Sequence, residues 1–447
     1  MSSAAYLSFV VIAGIIVLLF LIMKLKLQAF ISLLIVSIGV AIAAGMPLDK
    51  IMGSIQNGMG GTLGFIAVVV GLGAMFGQML EVSGGAERLA RTLVKKFGKD
   101  NASWAMALTG FIVSIPVFFD VGFIILVPIV YSLAKETKKS LLHYGIPLLA
   151  GLAVTHAFVP PTPGPVAVAA LVGADLGKVI LYGIIAGIPA AIIAGPIFGK
   201  YIAKKIHVGV PEYMLKEMNS EVKEDKDLPS FGFVLFTILV PILLIVLNTF
   251  TNVFLPKESY TRVVMGFIGH PFFALTLATL IAFVGLGRFR GMSREKINEI
   301  ATSALAPAGL IILVTGAGGV FKQVLVDSGV GKMLAESFAG SALSPIFLAF
   351  IIAVLVRVAA GSATVAMMTA GGIMAPMLSA FSVEPALIVI AIASGATVLS
   401  HVNDSGFWLV NRYFGLSEKD TLRSWTIMET IIGVVGVITV FALSLFV

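Results

Sequence analysis

Five ionisable side chains, Asp120, His156, Arg357, His401 and Asp404, stand inside long apolar stretches of this 447-residue chain. A carboxylate or imidazole in such a place is a candidate proton carrier, and a guanidinium is a candidate partner for an anion. Around them lie groups that break helices or present hydrogen-bond donors. Val159-Pro-Pro-Thr-Pro-Gly-Pro165, which contains Thr162 and Gly164, places four prolines in one span, where each removes a backbone donor and excludes a continuous helix. Ser400-His-Val-Asn-Asp-Ser-Gly406 breaks a second span with polar side chains, among them Asn403 and Ser405. Backbone freed at membrane depth must line a polar cavity or bind a ligand. Pro116-Val-Phe-Phe-Asp-Val-Gly122 forms one bend and Arg357-Val-Ala-Ala-Gly-Ser-Ala-Thr364 another, where Gly361, Ser362 and Thr364 offer N–H and hydroxyl donors to a carboxylate. The bland alternatives stay open at this point: Asp120 and Arg357 as a structural ion pair, His156 and His401 as packing histidines, Asp404 as a helix cap.

What is missing narrows the chemistry. No Gly-x-x-x-x-Gly-Lys-Ser/Thr loop is present, nor a soluble domain to hold ATP, so direct ATP drive is not signalled. Gly-x-Ser-x-Gly and His-Glu-x-x-His are absent too, and without cysteine there is no disulfide or thiolate metal site. No cofactor or metal is expected. A secondary transporter, an intramembrane enzyme using His and Asp, and a passive channel are the classes carried forward.

The elements that must position these residues follow from composition. Apolar residues make up 58% of the chain and charged ones 12%, with mean hydropathy +1.06, which leaves too little polar surface for a soluble fold. Apolar runs at Ala4–Met23, Leu27–Met46, Thr62–Leu80, Phe231–Leu255 and Thr426–Val447 approach the roughly 20 residues that span a bilayer core. The expected class is an all-α polytopic membrane protein with lipid as its solvent. The first run lacks a basic leader and reads as a retained span. Net charge +7 is accounted for by Lys and Arg on cytoplasmic loops, so nucleic acid is not an expected partner.

Self-comparison finds a repeat at an offset of 245 residues, from 76 to 321. Phe76-Gly-Gln-Met-Leu-Glu-Val-Ser-Gly84 lies over Phe321-Lys-Gln-Val-Leu-Val-Asp-Ser-Gly329, Leu89-Ala90 over Leu334-Ala335, and Val154-Thr-His156 over Leu399-Ser-His401. Residues 1–200 form a first repeat, 201–229 a charged cytoplasmic linker, and 230–447 a second repeat. Lys95, Lys96 and Lys99 precede Asn101–Ala134, and Lys135, Lys138 and Lys139 follow it, which puts both flanks on one side. Two crossings need about 40 residues. This segment therefore reads as a re-entrant hairpin, as does Ser341–Ala380. Each half then has five crossings, one of them a broken helix, and the odd number inverts the second half relative to the first. Placing both termini outside, on the periplasmic face, assigns most of the 30 Lys and Arg to cytoplasmic loops.

At these motifs the chain resembles the gluconate permease family, within the ion transporter superfamily. The likeness covers almost the whole length and is carried by Gly60-Gly-Thr-Leu-Gly64, Phe119-Asp-Val-Gly122, Thr155-His156, Pro160-Pro-x-Pro-Gly-Pro165, Phe321 to Gly329, Gly361-Ser-Ala-Thr-Val365, and Ser400 to Asp404 followed by Gly406-Phe-Trp408. The resemblance implies proton-coupled symport of gluconate or a related aldonate across a bacterial inner membrane. It also implies two hairpins and two broken helices around the substrate, an elevator movement and a homodimer. On that reading Thr162, Gly164, Arg357, Gly361, Ser362, Thr364, Asn403 and Ser405 bind substrate, and Asp120, Asp404, His156 and His401 are the proton-coupling candidates. The chain departs from the common family pattern at Thr162, in place of His, and at Ser405, in place of Pro. D-serine, fructuronate, ketogluconate or a dicarboxylate, with proton or sodium coupling, are the alternative cargoes that similar carriers imply.

Overall fold

The computed structural model describes residues 4–211, 225–330 and 344–447, so most of the charged linker and the stretch around Leu334-Ala335 and Ser341 lie outside the described residues. Within them the protein is an all-helical polytopic membrane protein without strands. The first half contains α1 (Ala4–Met23), α2 (Ala29–Ala43), α3 (Leu48–Val82), α4 (Gly85–Phe97), α5 (Ala102–Val113), α6 (Phe119–Thr137), α7 (Leu142–Phe158), α8 (Pro163–Val172) and α9 (Leu176–Ile192). α9 runs on through a π-helical turn, Ile193–Ile197, into Phe198–Lys205. The second half contains α10 (Phe231–Phe254), α11 (Tyr260–Ile268), α12 (Pro271–Ala282), α13 (Arg294–Ser303), α14 (Leu305–Asp327), α15 (Pro345–Ala360), α16 (Ala363–Met374), α17 (Pro385–Thr397), α18 (Ser405–Phe414) and α19 (Ile427–Leu443). A π-helical turn, Leu422–Thr426, leads into α19. Seven stretches among the described residues are long and apolar enough to cross a membrane.

The third apolar run is longer than its hydropathy core suggests. α3 has 35 residues, roughly 52 Å at 1.5 Å per residue against a hydrocarbon core about 30 Å thick. Its polar first turns, with Asp49, Lys50, Gln56 and Asn57, extend the helix ahead of the run Thr62–Leu80. α3 ends at Ser83-Gly84 and α14 at Ser328-Gly329, and both glycines hold left-handed backbone, φ 81° and 74°.

The ends of α3 and α14 repeat at the offset of 245, and the starts of α5, α6 and α7 match those of α15, α16 and α17 to within two residues. Past the breaks the offset falls to 242: α8 begins at Pro163 and α18 at Ser405, and both end on a left-handed glycine, Gly173 and Gly415. The packing repeats as well, with α5 against α7 and α15 against α17, then α7 against α9 and α17 against α19. The most extensive contact is the crossing of α3 with α14. There the backbones touch, since a Cβ on Gly58 would lie 2.7 Å from the Gly319 carbonyl oxygen. Gly183 and Gly187 also let α9 approach α7, while Gly73 faces Pro161 of the first break and Gly77 faces Pro116 of the first bend. Gly60 and Gly64 differ, because a Cβ on either would meet nothing within 4 Å among the described residues.

Polar links gather the basic loops at one end of the bundle. Lys99 pairs with Glu136, so the start of α5 and the end of α6 lie side by side. Arg88 holds Asp225 at 3.1 Å and the Pro229 carbonyl at 2.7 Å, Arg290 donates to the Asp227 carbonyl, and Ser140 Oγ donates to the Ile206 carbonyl at 2.9 Å. The opposite end is tied by Lys178 to Glu384 at 2.6 Å, Thr249 to Asp175 at 2.7 Å and Ser54 to Asp327 at 2.6 Å.

Candidate functional site

The second bend and the second break meet. α15 stops at Ala360 because Gly361 turns the chain with φ 72°, a conformation that costs other L-residues about 1 kcal/mol or more. A Cβ at Gly361 would lie 2.2 Å from the Asn403 carbonyl oxygen, so the bend and the break touch backbone to backbone. Ser362 then caps α16, accepting from Val365 N at 3.3 Å, and Asp404 caps α18, accepting from Gly406 N at 3.0 Å. The last turn of α15 is held by the break: Asn403 Nδ2 donates to the Val358 carbonyl at 2.9 Å, and His401 Nε2 lies 3.2 Å from the same oxygen.

Arg357 is buried at 3% exposure and pairs with Asp404, while its second amino group donates to the Gly361 carbonyl. The alternative pair read from sequence, Arg357 with Asp120, is not the one formed. Asp404 also accepts from Ser400 Oγ, which in turn accepts from Trp425 Nε1 at 2.7 Å. Phe119 of the first bend lies against the Trp425 ring with centroids 5.3 Å apart. Each partner fixes the next, so the Asp404 carboxylate is held in place by three donors, two on one oxygen and one on the other.

Beside this network is a cavity of about 520 Å³. It is lined by Asp120 and its neighbours on α6, His156 on α7, Arg357 and the bend through Thr364, Asn403 to Gly406, Trp425 and Glu429. Gln78 of α3 and Pro307 and Ile311 of α14 close another side. The N-termini of α6, α16 and α18 all reach this wall, and free N–H groups with the helix dipole favour an anion there. Three buried polar atoms of the lining have no hydrogen-bond partner: Arg357 Nε, His156 Nδ1 and Glu429 Oε1. Buried groups of this kind are ordinarily satisfied, so their concentration marks a place where a ligand or water completes the structure. Asp120 is exposed to the cavity.

The structure thus brings together Asp120, His156, Arg357, Gly361, Ser362, Thr364, Asn403, Asp404 and Ser405 on one cavity. His401 sits behind it on the Val358 carbonyl. Thr162 and Gly164 lie elsewhere: the Thr162 hydroxyl donates to the Val159 carbonyl at 2.7 Å, and a Cβ on Gly164 would meet Met367 Sδ at 2.4 Å. Thr162 lines a small pocket of about 10 Å³ between Pro116, Pro161 and Gly73.

Sequence reading missed Gln78, Trp425 and Glu429. Glu429 had a signal, being an acidic residue inside the apolar run Thr426–Val447 and 4% exposed in the fold. Gln78 lay within the repeated motif, opposite Gln323, without being read as a cavity residue. No group of three or more His, Asp or Glu side chains placed to hold a metal occurs among the described residues.

The family model of GntP family permeases matches residues 6–446. The chain is 45% identical to a gluconate permease of Pseudomonas aeruginosa, covering 100% of this chain and 99% of that protein. It is 43% identical to the high-affinity gluconate transporter of Escherichia coli, over 98% and 99%, and 40% identical to the Gnt-II system L-idonate transporter of the same organism, over 97% and 98%. Among solved structures it is similar to MtrF of Neisseria gonorrhoeae, with a TM-score of 0.67 at 14% identity over 90% of this chain and 85% of that one. The YdaH transporter of Alcanivorax borkumensis has a TM-score of 0.61 at 14% identity, over 89% of each chain. At that identity these two speak for a shared fold alone.

Proposed function

The chain belongs to the GntP permease family, and from that premise we propose that it is a proton-coupled symporter taking up gluconate or a closely related sugar acid across a bacterial inner membrane. The observation that carries this reading is the cavity. Three helix N-termini and a buried guanidinium face a space where a carboxylate supplies what the orphaned Arg357 Nε lacks. Ser362, Thr364, Asn403 and Ser405 are placed to meet the hydroxyls of a polyol chain. An aldonate has one carboxylate and many hydroxyls, which matches a single cation, Arg357, in a lining that already carries Asp120, Asp404 and Glu429 better than a dicarboxylate does.

Coupling follows from charge. Importing a monoanion against an inside-negative potential is uphill by about 2.3 kcal/mol per 100 mV, so a cation must accompany it. The ionisable groups of the cavity are suited to a proton, and the sequence points first to Asp120 and Asp404. A carrier, rather than an enzyme or passive channel, is also the reading that the related permeases favour.

For the architecture we propose two inverted repeats, re-entrant hairpins at α5–α6 and α15–α16, an elevator movement of the cavity, and a homodimer with periplasmic termini. The ion pair of Lys99 with Glu136 supports the first hairpin, because it joins the two ends of one α5–α6 unit. The clustering of basic loops at one end of the bundle supports the orientation. Because the chain has no cysteine, K96C and K257C can be labelled singly in intact cells. Only K257C is expected to react from outside, and labelling of both from one side would sink the topology.

The substrate is tested by uptake of labelled gluconate into proteoliposomes, with and without an inward proton gradient, against a panel of L-idonate, other aldonates, D-serine and succinate. Aldonates are expected to compete and the gradient to drive accumulation. Inhibition by succinate but by no sugar acid would overturn the assignment.

A further inference from the structure

We propose that Glu429, and neither Asp120 nor Asp404, carries the co-transported proton, and that it couples to substrate by competing with the substrate carboxylate for Arg357. The inference rests on the proton-symport reading above and deepens it. Its basis is the unequal state of the three cavity carboxylates. Asp404 has its oxygens occupied by Arg357, Ser400 and Gly406 N, so it is already committed to the guanidinium and its neighbours. Asp120 is exposed to the cavity at the start of α6 and forms no ion pair with Arg357, which is taken by Asp404. Glu429 alone is buried, on α19, with Oε1 unsatisfied.

An uncompensated carboxylate in that position is unfavourable, and either of two events removes the cost. Glu429 takes a proton and is neutral, or it takes the Nε–H of Arg357, a buried donor of the cavity lining left without a partner. The ionised and titratable groups facing it across the cavity are Arg357 of α15, Asp404 ahead of α18, Asp120 of α6 and His156 of α7; α9 and α17, which pack along α19, contribute no ionisable group to the lining. With Glu429 protonated, Arg357 is free to donate to a substrate carboxylate. With Glu429 ionised, the guanidinium is claimed and the anion is repelled.

Charge balances over the cycle. One proton leaves the outer solution and binds a Glu429 oxygen, one monoanion binds beside Arg357, and the loaded cavity has the same net charge as the empty cavity with Glu429 ionised. Release of substrate inside lets Arg357 draw the carboxylate, and the proton departs to the cytoplasm.

The test uses the full chain in proteoliposomes, with labelled gluconate exchange and proton-driven accumulation measured for the wild type, E429Q and E429D. E429Q mimics the protonated acid, so its exchange is expected to continue and to lose its pH dependence, while accumulation falls at least tenfold. E429D is expected to restore accumulation with a displaced pH profile. Full accumulation by E429Q would overturn the proposal, and so would loss of exchange in both variants, which marks a structural role. Failure of the underlying reading looks different. A wild type that does not exchange gluconate, or that accumulates it on a sodium gradient alone, removes the symport reading before any variant is compared.

Discussion

The two breaks share a backbone plan and almost nothing else. At the first, prolines fill the gap between α7 and α8, the bend at Pro116 packs on Gly77, and what remains is a pocket of about 10 Å³. At the second, the bend at Gly361 and the break at Asp404 border a cavity of about 520 Å³. Equivalent positions explain the contrast. Arg357 corresponds to Ile112 at the offset of 245, and at the offset of 242 Asp404 corresponds to Thr162, Trp425 to Gly183 and Glu429 to Gly187. In the first half those glycines let α9 press against α7, with a Gly183 Cβ only 2.2 Å from the Phe158 carbonyl oxygen. In the second, the same places carry an indole and a carboxylate. The lesson is that duplication supplies two frameworks for a site, and that charge and side-chain volume decide which is sealed and which is open.

Exchanging a residue on each side is the direct way to break this comparison. Removing the guanidinium by Arg357→Ala leaves Asp404 buried without its cation, a cost of about 3–5 kcal/mol, and gluconate uptake is expected to vanish along with a lowered melting temperature. Its counterpart Ile112→Val is expected to cost about 0.5–1.5 kcal/mol and to keep uptake. Equal losses in the two would mean that the halves contribute alike.

A smaller effect is expected at the bends. Gly361→Ala forces a Cβ onto the Asn403 carbonyl at left-handed φ, so exchange should drop at least tenfold, whereas Pro116→Ala should change it less than threefold. Trp425→Phe keeps the ring against Phe119 and removes one hydrogen bond to Ser400, worth about 0.5–1.5 kcal/mol, or roughly two- to twelvefold in gluconate affinity by direct binding. The smallest contrast pairs Thr162→Val with Ser362→Ala. The first should leave affinity within twofold, and the second, which loses a cap of about 1 kcal/mol at the cavity wall, should weaken binding severalfold.

Apolar run length and the punctuation of Pro and Gly are local signals, so the apolar runs, both breaks and both bends are legible in the sequence. The repeat was legible because Gln, Ser, Gly and His recur at fixed spacing between 76 and 401. Its slip to 242 was not, since past the breaks the halves share fold and no side-chain pattern. Thr162 looked as well placed as Ser405, because helix breaks announce themselves while the depth of packing around them does not. Glu429 was hidden by averaging, where one carboxylate barely lowers the hydropathy of a 20-residue run. The choice of Asp404 over Asp120 as the partner of Arg357 is a matter of approach between segments 47 residues apart, which spacing does not fix.

The crossing of α3 with α14 gives the cavity very little of its wall: one amide, Gln78, and two apolar side chains, Pro307 and Ile311. Nearly every polar contact available to a cargo belongs to the helices on the other side. If that crossing stays still while the rest shifts, a bound cargo gives up a single amide contact and two greasy ones. It would then add little friction to the passage, and substitutions at those three positions should register in turnover rate more than in affinity.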